Sequence, residues 1–585
     1  MSLALSRKDI FGPASLPDAA ELMARGRARA SEVQVGPSAF LARHGVSSEA
    51  EFKRRATAAG EVAVHAQIGF RDPAKTRRAW RQIWEETGAR GGRVDRYGIC
   101  LDWCMGYARN DREKGLRGTG LILDGEEDFA ALTAEAPVAP HFGDFVMGFP
   151  AAVENTVAAL RAGATAIGNL GQYFTFRLPG HDDDVGDTAV TLEALALCAA
   201  QPQEILIHSN LDDGFAALFT DLACTLGAVL IERRIVEDLI GGAAAHCYGH
   251  SFSEPAKRLA FQAALARVAP GPGSMIYGAT VAYRGDGPEN YAALAAYLSV
   301  DIAGQRRRGT GHAITPIPIT EAARIPDWDE TVDALAFASR LAERMEDADA
   351  IWDFDAADRA ADELVAGAEM FRDRVLTGLD FAGIDTENPL EMLLALRRIG
   401  AKRLEEAFGP GAEDPSARRG RRPVMRASPI AALEASAARE VAKVGEADRM
   451  AIRGAGLAVC VSSSDVHEYG KMLLVDVLEK LGVEARDAGI HAEPARVAEL
   501  AASADLIAIS TYNGVALDYL RRVRAALDAA GFDAPVLIGG KVNQVPEGSN
   551  TSLPVDVSAE LTEEGAIVCR EIGDLVPQLL RLARR

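Results

Sequence analysis

The stretch LAVCVSSSDVHEYGKMLLVDVLEKL, residues 457–481, holds an apolar strand, a polar loop and a helix in that order. Leu457–Ser462 reads as the strand and Lys471–Leu481 as the helix, and the same alternation continues downstream. Asp505–Ser510 and Pro535–Ile538 are further apolar strands, Ala516–Ala530 is a helix between them, and a last helix is expected over Gly565–Leu582. About 130 residues of alternating β and α, from 456 to 585, predict an open doubly wound, flavodoxin-like (Rossmann-type) domain. Ligands on such sheets bind outside the carboxyl ends of the strands, so the residues just after each strand decide the chemistry.

Those residues are Ser464-Asp465-Val466-His467-Glu468-Tyr469-Gly470 after the first strand, Ser510-Thr511-Tyr512-Asn513-Gly514 after Asp505–Ser510, and Gly539-Gly540-Lys541 after Pro535–Ile538. A His two positions from an Asp suits metal ligation, because the carboxylate can hold the second ring N–H while the other nitrogen meets the metal. Gly470, Gly539 and Gly540 would let an extended ligand approach the backbone, and Ser510 can hydrogen-bond it. Alone, Asp-x-His-x-x-Gly is a weak signal, since a loop His is more often structural.

Working back along the chain, residues 62–311 alternate short apolar runs with Ala/Leu-rich helical patterns. Expected strands are Val62–Ile68, Gly120–Leu123, Thr165–Gly168, Glu204–His208, Ala228–Ile231 and Ser274–Tyr277. The number of β-then-α units suits a TIM-like (β/α)8 barrel better than an open sheet. The expected domains are therefore a barrel with a helical extension (1–409), a linker (410–455) and the flavodoxin-like domain (456–585). The linker carries Arg418, Arg419, Arg421, Arg422 and Arg426, more readily a solvated run than a phosphate site.

Composition narrows the function classes. The 585 residues contain 63 Lys plus Arg against 84 Asp plus Glu, a formal charge of −21, which argues against nonspecific binding to nucleic acid or an anionic membrane. Seven dispersed Cys make no disulfide framework, and Cys100 and Cys104 read as core thiols. Residues 1–25 show no apolar secretory core and no run approaches a membrane span, so the expected location is the cytoplasm. The three adjacent acids Asp182–Asp184 are not expected to converge on a metal.

The three C-terminal loops together resemble the cobalamin-binding domain of base-off/His-on corrinoid enzymes, whose pattern is Asp-x-His-x-x-Gly, Ser-x-Leu and Gly-Gly. Tyr512 stands where the pattern has Leu. The resemblance implies that His467 is the lower axial ligand to cobalt and Asp465 its hydrogen-bonded partner. Ser464, Gly470, Ser510, Tyr512, Gly539 and Gly540 complete the cofactor-binding set. The N-terminal region resembles the barrel subunit of glutamate mutase (methylaspartate mutase) through Met147-Gly148-Phe149-Pro150, Gly163–Pro179, Thr310-Gly311-His312 and Ile317–Ala322. That likeness implies an adenosylcobalamin-dependent radical carbon-skeleton mutase with barrel and corrinoid domain in one chain. A methylcobalamin-dependent methyltransferase and a non-catalytic corrinoid carrier or sensor are the alternatives.

Polar residues expected after barrel strands supply the catalytic candidates: Arg109, Arg112, Asn169, Tyr173 and His312, with Gln172, Arg177, His208, Asn210 and Arg284 in reserve. In the glutamate mutase pattern an arginine claw holds the two substrate carboxylates. On a pairing by eye two claw positions fall at Gln67 and Met147, and the third at Arg109 or Arg112. A Glu near the substrate amine falls at Asn169, and a Lys near the adenosyl group at Gly309. The expected substrate is therefore a small organic acid other than glutamate, and the expected assembly a homodimer without nucleic-acid or membrane partners.

Overall fold

The computed structural model describes the chain apart from residues 1–4, 14, 115–116, 280–282, 284–286, 322–323, 347, 466–467, 513, 547–553 and 585. It divides into two compact units, Met1–Thr175 with Asp182–Pro429, and Phe176–His181 with Ile430–Arg585.

The first unit contains eight short strands among the described residues: β1 (His65–Ile68), β2 (Arg96–Ile99), β3 (Ala139–His141), β4 (Ala166–Ile167), β5 (Leu206–Ser209), β6 (Ala243–His246), β7 (Met275–Ile276) and β8 (Ala313–Ile314). All their pairings are parallel. β1, β2 and β3 pair in order, as do β4, β5 and β6, and β7 pairs with β8. Three parallel bridges join these sets: Phe142 to Ile167, Tyr248 to Ile276, and Ile314 back to Val64. Helices alternate with the strands, including Pro73–Ala89, Ala152–Arg161, Asp184–Ala199, Leu222–Arg233, Pro255–Val268 and Gly287–Arg307.

Two expected strands are corrected. Ala228–Ile231 lies inside the helix Leu222–Arg233, because a short buried apolar run reads alike in either conformation; the strand comes later, at Ala243–His246. Gly120–Leu123 contributes one isolated bridge, Leu121 to Leu101. Beyond these strands, the helices Phe354–Phe381 and Pro389–Phe408 belong to the same unit. The segment through 429 is pinned there by Asp221, whose carboxylate accepts from the backbone N–H of Val424 (2.8 Å) and Met425 (3.1 Å). Asp183 caps the helix Asp184–Ala199 through Gly186 N–H (2.9 Å), and Asp184 pairs with Arg398 (2.6 Å).

The second unit is a five-stranded parallel sheet of β9 (Ala458–Ser463), β10 (Glu484–Gly489), β11 (Leu506–Thr511), β12 (Val536–Gly540) and a later strand. A two-residue antiparallel ribbon, β13 (Asn543–Gln544) and β14 (Val555–Asp556), comes next, and β15 (Ile567–Cys569) completes the sheet in the order β10-β9-β11-β12-β15. This is the flavodoxin-like order, with its topological switch point between β9 and β11. Alternation along β11 feeds two cores. Ile507 and Ile509 pack with Tyr519, Leu520, Val523 and Ile538, while Leu506 and Ala508 pack with Val459, Val461, Leu478 and Leu579. The helix Ser428–Ala442 and the helix Glu446–Gly454 supply Ala437 and Ile452 to the second core. The single helix expected over Gly565–Leu582 is instead β15, a turn and the helix Leu575–Ala583.

Candidate functional site

At the switch point, Ser464 and Asp465 come directly after β9 and are buried at 1% and 0% exposure. Ser464 N–H donates to the Ser510 carbonyl (2.9 Å), tying the β9 loop to β11. The Asp465 carboxylate accepts from Tyr512 N–H (2.8 Å) and from Ser464 Oγ (3.1 Å), and its carbonyl accepts from His491 N–H (3.0 Å). His491 is buried, which pushes its pKa down to about 4 against the opposing pull of Asp465. His467 and Val466 lie outside the described residues, so the ligand role expected of His467 has no structural account.

The expected glycines are held by close packing. A Cβ at Gly470 would lie 2.5 Å from Ser510 Oγ, and one at Gly539 would lie 3.0 Å from the Cys569 carbonyl oxygen. Gly540 has φ +105° and a Cβ there would meet the Thr511 carbonyl oxygen at 2.3 Å, so both its backbone and its neighbour require glycine. Tyr512 is exposed, with Lys541 Nζ 4.2 Å from its ring centroid. Thr511 Oγ1 is buried without a hydrogen-bond partner. Ser464, Asp465, Gly470, Ser510, Tyr512, Gly539 and Gly540 thus gather at the carboxyl ends of β9, β11 and β12, as expected of a ligand slot on this sheet.

The catalytic candidates of the first unit scatter more. Arg109 is exposed, with its guanidinium against Gly125 and its N–H donating to Glu154 (3.1 Å). Arg112 donates to the Leu123 carbonyl (2.9 Å). Asn169 is a clamp between loops, its Oδ1 accepting from Gly171 N–H (3.0 Å) and Asn210 N–H (2.8 Å). Tyr173 is fully buried, its hydroxyl bonded to Thr188 (2.6 Å) and its ring under Arg397 at 4.7 Å. His312 precedes β8, at the amino end of that strand, and bonds Thr310 (2.6 Å); burial pulls its pKa down to about 3. Arg284 lies outside the described residues.

The carboxyl ends of these strands carry a different set, most of which the sequence did not reveal. Gln67 lies near the end of β1, Cys100 directly after β2, Asp144 after β3, Gln172 after β4, Asn210 and Asp213 after β5, His250 after β6, Tyr277 after β7 and Glu321 beyond β8. Gln172 bridges Asp144 (3.1 Å) and Phe145 N–H (2.9 Å). His250 stacks on Tyr277 with centroids 4.4 Å apart, lies 4.0 Å from Asp213 and takes the Asn210 amide at 3.4 Å. Burial and Asp213 push the Asp144 carboxyl up to about 7, and Asp144, Glu321 and Asp213 help burial push the Cys100 thiol up to about 12. A short-range motif could not have revealed this set, since each member comes from a different βα loop.

Beneath it the interior is polar. Arg96 Nε bonds the Glu49 carboxylate (2.9 Å), which also pairs with Lys53 (2.8 Å). Arg96 Nη1 lies 3.3 Å from His65 Nδ1, His65 Nε2 lies 3.2 Å from Gln67 Oε1, and Gln67 Nε2 lies 3.1 Å from Cys100 Sγ.

Comparison with known proteins bears on the second unit. Residues 456–566 match the B12 binding domain family, so the chain carries a B12-binding, Rossmann-like domain at its C-terminal end, and the match supports cobalamin binding. A solved structure of a cobalamin-binding protein from Desulfitobacterium hafniense DCB-2 is 23% identical over 22% of this chain, with TM-score 0.18. The chain spans 58% of that protein's length. The structure of UMP synthase from Leishmania donovani is 14% identical, covering 92% of this chain and 94% of its own, with TM-score 0.28. No curated protein matches the chain. The loops fit a corrinoid: closely packed glycines leave the strand ends without side chains, Asp465 is buried and Thr511 Oγ1 is an unmet polar atom beside them. Among the described residues no helix is long and apolar enough to cross a membrane.

Proposed function

We propose that the chain is an adenosylcobalamin-dependent radical carbon-skeleton mutase, acting on a small organic acid other than glutamate, with a TIM-like barrel as its substrate-binding unit. The observation that carries this reading is the B12-binding match over residues 456–566 in a chain whose other unit has, among the described residues, eight parallel strands paired in succession, the last bridging back to the first. A corrinoid carrier has no use for a second unit of that kind. A methyltransferase is expected to bring a helical cap module, and here two helices, Ser428–Ala442 and Glu446–Gly454, contribute to the sheet's own core.

In this reading His467 and Asp465 hold the cobalt side of the cofactor, and Ser464, Gly470, Ser510, Tyr512, Gly539 and Gly540 line the slot for its nucleotide tail. Adenosylcobalamin, when bound, supplies hydrogen-abstracting radical chemistry, while the protein supplies orientation and a cavity shielded from water. Asp465 orients its neighbours from a buried position, and the polar groups at the carboxyl ends of β1–β8 place the substrate. The test is the ultraviolet–visible spectrum of the full-length protein with adenosylcobalamin, then electron paramagnetic resonance during a substrate screen. Cofactor binding with a substrate-dependent Co(II)–organic radical signal supports the reading; cofactor-dependent methyl transfer without a radical would replace it.

A further inference from the structure

We infer that Lys541, held over the Tyr512 ring, is the cation that receives the phosphodiester of the cobamide's nucleotide tail. This deepens the proposed function and rests on it for the nucleotide slot, not for the radical chemistry.

β11 and β12 pair in parallel, with Ser510 opposite Gly539 and Thr511 opposite Gly540. The next residue on each is Tyr512 and Lys541, one step beyond the serine and the two glycines of the slot. Both backbones are fixed at that point. Tyr512 N–H donates to the Asp465 carboxylate (2.8 Å), Lys541 N–H donates to the Thr511 carbonyl (2.8 Å), and the Lys541 carbonyl accepts from Asn543 N–H (2.8 Å). The side chains then meet: Lys541 Nζ stands 4.2 Å from the centroid of the Tyr512 ring, and that tyrosine is 43% exposed. A lysine loses rotamer freedom when its head is fixed, and an aromatic face that attracts the ammonium offsets part of that loss before a ligand arrives.

Charge narrows what the ammonium can serve. The loops 464–470 and 510–514 contain no Lys or Arg. Lys471, in the helix that follows β9, is buried and paired with Asp487 (2.6 Å). Lys541 is thus the cation that the loops after β9, β11 and β12 bring to the slot. The side chains of a cobamide's corrin are neutral amides, and its peripheral anion is the phosphodiester. A charge-assisted bond to phosphate is roughly twice as strong as one between neutral groups, so the phosphodiester gains most from this site. An ammonium has three donors, so it can keep its seat on the ring and turn an N–H to the phosphate. Leu, the residue of the corrinoid pattern at position 512, would supply no aromatic face to hold that cation.

Isothermal titration of the full-length protein with adenosylcobalamin, adenosylcobinamide phosphate and adenosylcobinamide tests the assignment. The first two ligands carry phosphate, and the third offers only amides and a hydroxyl. Lys541→Met should weaken both phosphate ligands about tenfold and leave adenosylcobinamide unchanged, which also shows that the variant is folded. Lys541→Arg should restore most of that loss. Tyr512→Leu should weaken the same two ligands about threefold, and Tyr512→Phe, which keeps the ring, should not. Added salt should weaken adenosylcobalamin binding more in the wild type than in Lys541→Met. An equal loss for all three ligands would place Lys541 on a corrin amide or in the fold, and no loss for any would place it outside the slot. Either result overturns the inference, as does failure of all three ligands to bind the wild-type protein. The mutase reading fails separately. A phosphate-selective loss in Lys541→Met, with no radical signal from any substrate, would end the mutase reading and leave the phosphate contact standing. A substrate radical in the wild type, with all affinities unchanged in Lys541→Met, would do the reverse.

Discussion

Gly470→Ala places two effects of similar size in opposition. The glycine lies in the first turn of the helix Tyr469–Leu481, where alanine gains up to about 1 kcal/mol in helix propensity, less at a terminal turn than in the interior. Against that, the new Cβ would stand 2.5 Å from Ser510 Oγ, a separation real side chains do not adopt. The obstacle is one hydroxyl on a rotatable bond, so the serine turns to a poorer rotamer for about 0.5–1.5 kcal/mol. The single substitution should therefore leave stability nearly unchanged while moving Ser510 from its place in the loop cluster. Replacing Ser510 by alanine removes the obstacle, because the serine Cβ is already 3.7 Å from the added atom, an ordinary contact. In the Ser510→Ala background the same change should stabilise, giving a coupling of about 0.5–1.5 kcal/mol between the positions. Urea unfolding of the four proteins, monitored by a signal from the C-terminal unit, measures this cycle, and cobalamin titration measures its consequence for the slot. Additivity within about 0.3 kcal/mol would refute the packing on which the slot is built.

Other outcomes rest on the same geometry. His467→Ala should abolish the nitrogen superhyperfine splitting that a labelled His gives to Co(II), and its persistence would remove His467 as the axial ligand; Asp465→Ala should weaken cobamide binding about 10–100-fold. Arg258 and Asp301 are both fully buried, paired at 2.6 Å and 2.7 Å, so Arg258→Met should lower stability by about 3–5 kcal/mol in chemical denaturation. A loss under about 1 kcal/mol would mean that the pair is not enclosed as described. Glu405, buried on Thr220, has its pKa pushed up to about 7, so it holds a proton in the folded chain that the unfolded chain has lost above pH 4.5. Its contribution is present at low pH and disappears as pH rises through 7, with a slope of up to about 1.4 kcal/mol per pH unit; Glu405→Gln should flatten that segment of the stability–pH curve. Glutamate and 3-methylaspartate should not be interconverted by the holoenzyme, and turnover at an ordinary enzymatic rate, read by chromatography, would show that a carboxylate claw had been rebuilt.

The C-terminal unit was the more legible in sequence because its central strands are buried on both faces. Ala458–Ser463 and Leu506–Thr511 are continuous small or apolar runs, whereas the edge strand Glu484–Gly489 is half-exposed and polar and carries no such signal. The strands of the first unit are two to four residues long, too short for periodicity, and Ala228–Ile231 was apolar enough to pass for one while forming part of a helix. Polar interior residues hid others: Arg96 and His141 sit on β2 and β3, which were not expected, yet are buried at 3% exposure or less. Site residues divide the same way. Ser464 to Gly470 are neighbours in the chain, but Asp144, Asn210 and His250 come to the carboxyl ends of different strands only through the succession of strand pairings, which no local pattern encodes.

The buried hydrogen-bond chain beneath these strand ends also bears on what Gln67 can offer a ligand. A guanidinium is only a donor, so His65 Nδ1 must accept from Arg96, and burial beside that charge keeps the imidazole neutral. Its single proton is then on Nε2 and is donated to Gln67 Oε1. The Gln67 carbonyl is engaged from below, and its amide nitrogen turns toward Cys100. The position paired with a claw arginine therefore presents one remaining amide N–H, neutral, close to a thiol on which Asp144, Glu321 and Asp213 all act. A single neutral donor cannot grip a carboxylate as a guanidinium fork does. A dicarboxylate directed there would lack the bidentate partner that an arginine at this position would supply. Arg96 remains on the same strand ladder, but its charge is already committed to Glu49 and its fork is turned to His65 rather than to the strand ends.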